Sequence, residues 1–407
     1  MSKTKNARRS SQNGKSLLVN AGFPALIIAA GVTTKILLTG TPVTPQAPNP
    51  PTKSQDGSPP ADASTEPKAT LATIQTLRKE AVDACRRAME DFPQSVGPIL
   101  LMGDCHHQFG NGAEAVKWWR KVLDRNPEHS GACYLIAVIA TKNGDYEKAA
   151  ELFRKTLQIS PRMRGVPLQL AKVLVELGKS REATEILREE LRVNPRDAAA
   201  IHHILGQAHL QLKQYDKAVA SYAKAIEVAP NDPAACYGLS VAHARLGRTE
   251  EAGRYREKFR KIRKDLNESV RNKRLTFDDL NRTRKIAATL HFRIGNIIYL
   301  RNKRLDEAEQ RFKRAAELNP KDQLCLRQLA KLYMRRKRFS EAADICVQLT
   351  KLAPTNAAYH LNAGQVLGKL RRFSEAEEAL ARAAKLAPGN TVVRRIREQM
   401  RTLAVRQ

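Results

Sequence analysis

Residues 137–161 read AVIATKNGDYEKAAELFRKTLQISP, and this stretch decides the fold. Ala137 precedes Ala149 by twelve positions, Phe153 follows four later, and Pro161 closes the stretch eight after that. Between the two alanines, Lys142-Asn143-Gly144-Asp145 is a turn signal. The pattern predicts two short antiparallel helices joined by a tight turn. Small residues at 137 and 149 let the helix axes approach, and the bulky Phe153 fills the gap toward the next unit. Pro161 ends the second helix because proline cannot continue the hydrogen-bond ladder. Neither helix can bury its apolar stripe alone, so such a unit needs neighbours.

The neighbours are in the chain. Pro93, Pro127, Pro161, Pro195, Pro230, Pro320, Pro354 and Pro388 follow at intervals of 34, 34, 34, 35, 90, 34 and 34 residues. Twelve residues before each proline stands an alanine: Ala81, Ala115, Ala149, Ala183, Ala218, Ala308, Ala342 and Ala376. Eight before it stands a bulky residue in most units, as Trp119, Phe153, Leu187, Tyr222, Phe312 and Leu380, with Cys85 and Cys346 as smaller variants. A small residue leads most units, as Gly103, Ala137, Ala171, Gly206, Ala330 and Gly364. Gly295 precedes Ala308 by thirteen positions, which predicts one extra residue in that unit's loop. A fixed period of this length marks a solenoid of short supersecondary units.

Leu205-Gly206, Ile294-Gly295-Asn296, Tyr146 with Ala149 and Phe153, and Leu329-Ala330 with Tyr333 resemble the tetratricopeptide repeat (TPR) signature. Complete units begin near 96, 130, 164, 199, 233, 288, 323 and 357, after a half unit ending at Pro93 and before a final helix, Asn390 to Val405. The resemblance implies an all-α, right-handed superhelical solenoid of about eight helix-turn-helix units. It also implies a concave groove, lined by the first helix of each unit, that binds a protein or peptide.

The cadence breaks in the fifth unit. Ala252 is in place, but Arg256 replaces the bulky residue and Lys264 the proline. Tyr255, Phe259, Ile262, Leu266 and Val270 keep helical spacing, so the second helix should run on past Lys264. Thr276-Phe277-Asp278-Asp279 has the form of a fresh helix start. The domains expected are a basic tail (1–16), a transmembrane or signal segment (17–39), a Pro-rich linker (40–68), a first repeat block (69–266), a basic helical insert (267–287) and a second block with its capping helix (288–407).

Charge marks the same region. The chain carries 71 Lys and Arg against 41 Asp and Glu, a net +30 that favours anionic partners. Between 254 and 304 there are 17 Lys or Arg and 5 Asp or Glu. Arg256, Arg260 and Lys264, then Arg271, Lys273 and Arg274, could hold phosphate backbones or an anionic surface, or form a solvated helix face. No interleaved aromatic motif accompanies them, so nucleic acid is the alternative partner and protein the leading one. On the groove face implied by the resemblance, Arg327, Lys331 and Arg335 repeat at i, i+4, i+8, with Arg293 and Asn296 in similar places one unit earlier. They suit an acidic peptide. The Lys-Asn clamp by which some family members hold a carboxyl-terminal acidic peptide is missing, since Leu100, Asp104, Tyr134 and Val138 occupy its positions.

The amino-terminal segment admits three readings. Ser16 to Thr34 is uncharged, follows five basic residues and is long enough to span a bilayer as a signal anchor, with the repeats outside the cytoplasm. Cleavage near Ala29-Ala30-Gly31 would make the product secreted or periplasmic, and a surface-lying or disordered segment is the third option. The six cysteines, Cys85, Cys105, Cys133, Cys236, Cys325 and Cys346, fit no disulfide or metal spacing and suit buried free thiols. His202 and His209 share a helix face without further converging ligands. No catalytic or nucleotide-binding motif occurs, so no cofactor, metal or enzymatic activity is expected.

Overall fold

Each hairpin turns on one left-handed residue. Gly144 has φ +85°, and the N–H of Asp145 donates to the Ala140 carbonyl at 2.9 Å, closing the first helix of its unit. The same conformation stands five positions before the repeat alanine at Gly110, Gly144, Gly178, Lys213, Gly247, Lys303, Lys337 and Arg371.

The computed structural model describes residues 65–193, 195–275 and 279–405. Among these residues the regular structure is entirely helical. Helix α1 (Thr65–Asp91) precedes eight hairpins. The first five are α2 (Val96–Gln108) with α3 (Gly112–Arg125), α4 (Ser130–Asn143) with α5 (Tyr146–Ile159), α6 (Val166–Glu176) with α7 (Ser180–Val193), α8 (Ala198–Gln211) with α9 (Tyr215–Val228), and α10 (Pro233–Arg245) with α11 (Thr249–Leu275). The last three are α12 (Asp279–Arg293) with α13 (Leu305–Leu318), α14 (Gln323–Arg335) with α15 (Phe339–Leu352), and α16 (Ala357–Lys369) with α17 (Phe373–Leu386). Helix α18 (Thr391–Val405) packs on α17.

The spacing of small and bulky residues is explained by contact. The Tyr222 ring is wedged between α8 and α10, so a Cβ on Gly206 would lie 2.7 Å from it and one on Gly238 2.3 Å. Trp119 over Gly103 and Leu380 over Gly364 repeat the arrangement within their own hairpins. Trp119, Phe153, Leu187, Tyr222, Phe312 and Leu380 are all buried. The bulky residue therefore both locks its own hairpin and, at Tyr222, seats the next.

The sixth unit departs from expectation. Lys303 stands five before Ala308 as in the other units, so the loop has its usual length. The extra residue is absorbed inside the first helix, which continues from α12 as a π-helical segment, Ile294–Tyr299. There the Leu300 N–H donates to the Gly295 carbonyl five residues back at 2.8 Å.

The fifth unit ends one stack. Helix α11 runs on to Leu275 as a single 27-residue helix, and Arg256 is exposed where other units bury a bulky side chain. The span 267–287 forms no separate element, because α11 ends at Leu275 and α12 begins at Asp279; residues 276–278, with the helix start expected there, lie outside the described residues. Helix α12 packs along α1 and α13. Ala81, Ala84, Cys85 and Ala88 of α1 share one core with Leu101 and Met102 of α2, Ala287, Leu290 and Ile294 of the sixth unit, and Phe312 of α13. The half unit formed by α1 is completed in space by a helix from far downstream.

No helix among the described residues is long and apolar enough to cross a membrane. That finding corrects the expectation of a transmembrane helix and of a membrane-anchored chain with extracytoplasmic repeats. A span needs about 20 consecutive apolar residues, whereas the two longest helices, 27 residues each, are interrupted by charge. Residues 17–39, to which the expectation referred, lie outside the described residues.

Candidate functional site

Helix α14 combines a fully committed inner face with an unopposed outer one. Asp322 caps it, accepting from the N–H groups of Leu324 (2.9 Å) and Cys325 (3.2 Å). Cys325, Leu326, Leu329, Leu332 and Tyr333 are buried against the neighbouring helices. Arg327, Lys331 and Arg335 are exposed and make no ion pair or hydrogen bond with any described residue. Successive cations are about 6 Å apart along the axis. Leu324, 48% exposed, continues the same face toward the helix start.

This openness contrasts with the arginines around it. Glu309, 6% exposed, binds Lys313 at 2.8 Å, Arg336 at 2.9 Å and Arg338 at 2.7 Å. Burial pushes the Glu309 carboxyl up, but Lys313 and Arg338 outweigh it and hold it below the usual carboxylate range. Arg304 binds Asp91 at 2.9 Å and also pairs with Glu307. Arg372 binds Glu375 at 2.6 Å. These acids are engaged at hairpin ends, and none of them reaches the α14 ladder.

The other groove candidates have structural partners. Arg293 Nη2 binds Asp104 Oδ2 at 2.6 Å, and Asp104 Oδ1 also accepts from Trp119 Nε1 at 3.2 Å. Arg293 therefore ties the sixth unit to α2. Asn296 is half-buried within the π-helical segment. Tying contacts continue along α1: Arg314 donates to both Glu80 oxygens at 2.6 and 2.8 Å, and Tyr299 donates to Asp91 at 2.6 Å. The Arg314 hydrogen bonds hold the Glu80 carboxyl below its ordinary range. His291 lies between them, 1% exposed, with Nε2 3.2 Å from Glu80 Oε1 but without hydrogen-bond geometry. Burial first, then the charges of Arg311 and Arg314, push its pKa down to about 4, so the ring is neutral at pH 7. Nothing in the sequence signalled these contacts, because their partners lie far apart in the chain, 208 positions for Tyr299 and Asp91 and 234 for Arg314 and Glu80.

The basic region divides in two. Arg256, Arg260 and Lys264 are exposed on α11 and make no ion pair with any described residue. Arg271, Lys273 and Arg274 belong to the same helix, but their side chains lie outside the described ones. The histidines are packed: His107 against Trp119 (5.6 Å), His243 stacked on Tyr255 (5.6 Å), and His209 on the Gln214 amide at 2.9 Å. No group of three His, Cys, Asp or Glu among the described residues converges to hold a metal. All six cysteines are buried free thiols. The contact with Cys105 and burial push the Cys85 thiol well up, which removes thiolate chemistry there.

Comparison with known proteins agrees with this geometry. Models described as "Tetratricopeptide repeat" match residues 168–233, 205–258, 299–361 and 357–390. A model described as "Anaphase-promoting complex, cyclosome, subunit 3" matches residues 113–190. No curated protein matches. Among solved structures, "YrrB: a TPR protein with an unusual peptide-binding site" is 21% identical with a TM-score of 0.40, covering 47% of this chain and 99% of its own. "MamA 41-end from Desulfovibrio magneticus RS-1" is 18% identical with a TM-score of 0.39, covering 45% of this chain and 97% of its own. Repeat matches on both sides of the long α11 helix, falling on hairpins with a shared packing rule, establish that the chain belongs to the tetratricopeptide repeat family.

Proposed function

We propose that this protein is a non-catalytic scaffold that binds an acidic peptide segment of a partner protein across the outer face of α14. Family membership supports protein binding in general, since such repeats commonly serve as interaction scaffolds. The single observation that carries the acidic class is the ladder of Arg327, Lys331 and Arg335, exposed and unpaired beside arginines that are paired. A desolvated carboxylate placed on such a cation gains a charge-assisted hydrogen bond with no internal acid to displace. Leu324 offers an apolar foothold at one end of the ladder.

Nucleic acid binding through 254–304 is the weaker reading. Arg293 and Arg304 of that span are held by Asp104 and Asp91, and the Phe259 ring is covered by Arg263 at 5.5 Å, which removes an open stacking platform.

The test is fluorescence anisotropy with the full chain and a labelled Glu-rich peptide carrying one leucine. The triple variant Arg327→Glu, Lys331→Glu, Arg335→Glu should bind at least about tenfold more weakly, about 1.4 kcal/mol. Its helical circular dichroism should be unchanged, since all three side chains are exposed. Equal binding by parent and variant would sink the assignment.

A further inference from the structure

Helix α11 is longer than its partner, and the excess has two chemically distinct sides. The ring pairs Tyr237–Phe259 (5.4 Å) and His243–Tyr255 (5.6 Å) fix the antiparallel register of α10 and α11. By that register Pro233, the first residue of α10, lies level with Lys264. The helix therefore overhangs from about Asp265 to Leu275. Phe259, Ile262 and Leu266 follow one another at i, i+3 and i+7 and form a single apolar stripe. The stripe runs off the end of its cover: Phe259 and Ile262 are half-buried, while Leu266 is 51% exposed. Tyr237 beside it is 55% exposed. At about 100° per residue, Arg263 lies about 40° and Arg260 about 100° beyond Phe259 on one border of the stripe, with Lys264 further round the helix at about 140°. Together with Phe259, Asn267 and Glu268 they line a shallow surface depression. None of these three cations is ion-paired to a described residue, and Arg263 lies over Phe259.

We propose that the overhanging part of α11 is a second docking surface, and that its occupant is an acidic amphipathic helix of a partner protein. The occupant's apolar stripe would lie on Ile262 and Leu266, beyond the Phe259 ring that Arg263 covers, and its acidic border on Arg263 and Arg260. Charge decides the sign of the partner, because a second copy of this surface would bring like cations together. The apolar stripe decides its class. A phosphate backbone would neutralise the cations but leave Ile262 and Leu266 in water, whereas a helix with one apolar and one acidic side covers both. Arg256, which replaces the bulky stacking residue, keeps a further repeat from covering this end of the first block.

The test uses the full chain and three labelled probes: a helical peptide with leucines at i, i+3, i+7 and glutamates on one border, a scrambled peptide of the same composition, and single-stranded DNA. The ordered peptide should bind at least about tenfold more tightly than the scrambled one. Leu266→Asp and the pair Arg260→Glu with Arg263→Glu should each weaken it by about tenfold or more. The α14 triple variant should leave this binding unchanged, which separates this surface from the α14 assignment. Equal affinity for the two peptides would overturn the proposal. So would a DNA probe that binds more tightly and responds to the cation variants but not to Leu266→Asp.

Discussion

At the scale of the residue, the repeat is a rule about which side chains can touch. Gly238 is glycine because the Tyr222 ring occupies the space a Cβ would take, 2.3 Å away. Gly238→Ala should therefore destabilise the protein by about 1–3 kcal/mol through overpacking. Gly253→Ala on α11, where a Cβ would meet nothing, should be neutral or stabilise by roughly 0.5–1 kcal/mol from helix propensity. Urea unfolding of the two variants side by side distinguishes them, and equal effects would refute the contact argument. Of the two glycine contacts of Tyr222, the one across the hairpin boundary, with Gly238, left no mark in the sequence pattern, whereas the one with Gly206 was legible because contact partners within a hairpin sit at a constant separation. The partnership of Arg293 with Asp104 was not, since an arginine on a groove face has the same local pattern whether it meets solvent or a carboxylate.

At the scale of the element, helix termini and helix lengths carry the information. The eight left-handed turn residues keep the loops equal, so the extra residue of the sixth unit had to enter the helix as a π-helical segment. Sequence spacing counted that residue correctly but placed it in the loop. Helix α1 depends on a distant partner: its Ala81, Ala84, Cys85 and Ala88 are buried with residues of α12 and α13. A chain ended after Leu275 should therefore lose amide protection across α1 and α2, while α4 to α9 remain protected. Hydrogen exchange followed by mass spectrometry reads this directly. Unchanged protection in α1 would mean that α2 alone suffices to hold it.

At the scale of the whole molecule, the docking of the second block on α1 is electrostatically sensitive. His291 is neutral in the folded state with its pKa near 4, whereas an unfolded histidine titrates near 6.5. The unfolded state thus binds more protons between these values, and stability falls as pH drops from 6.5 toward 4. Glu80, whose carboxyl is held below its ordinary range by Arg314, adds stability above the unfolded carboxylate pKa that is lost as pH falls through its folded value. Melting temperature should therefore decline over this window, and His291→Gln should flatten the decline by up to about 3 kcal/mol. An identical slope in parent and variant would show that His291 does not govern it. The period of small, bulky and proline residues determined by itself that this chain is a stack of helical hairpins, because the contacts that build a hairpin lie within one period of the chain. Only the tertiary structure decided that α12 returns to complete α1, and that Arg293 is spent on Asp104 while Arg327, Lys331 and Arg335 stay open. The physical reason is that pairing across several repeat lengths depends on complementary surfaces that exist only once both hairpins have formed, and no periodicity along the chain records which surfaces will meet.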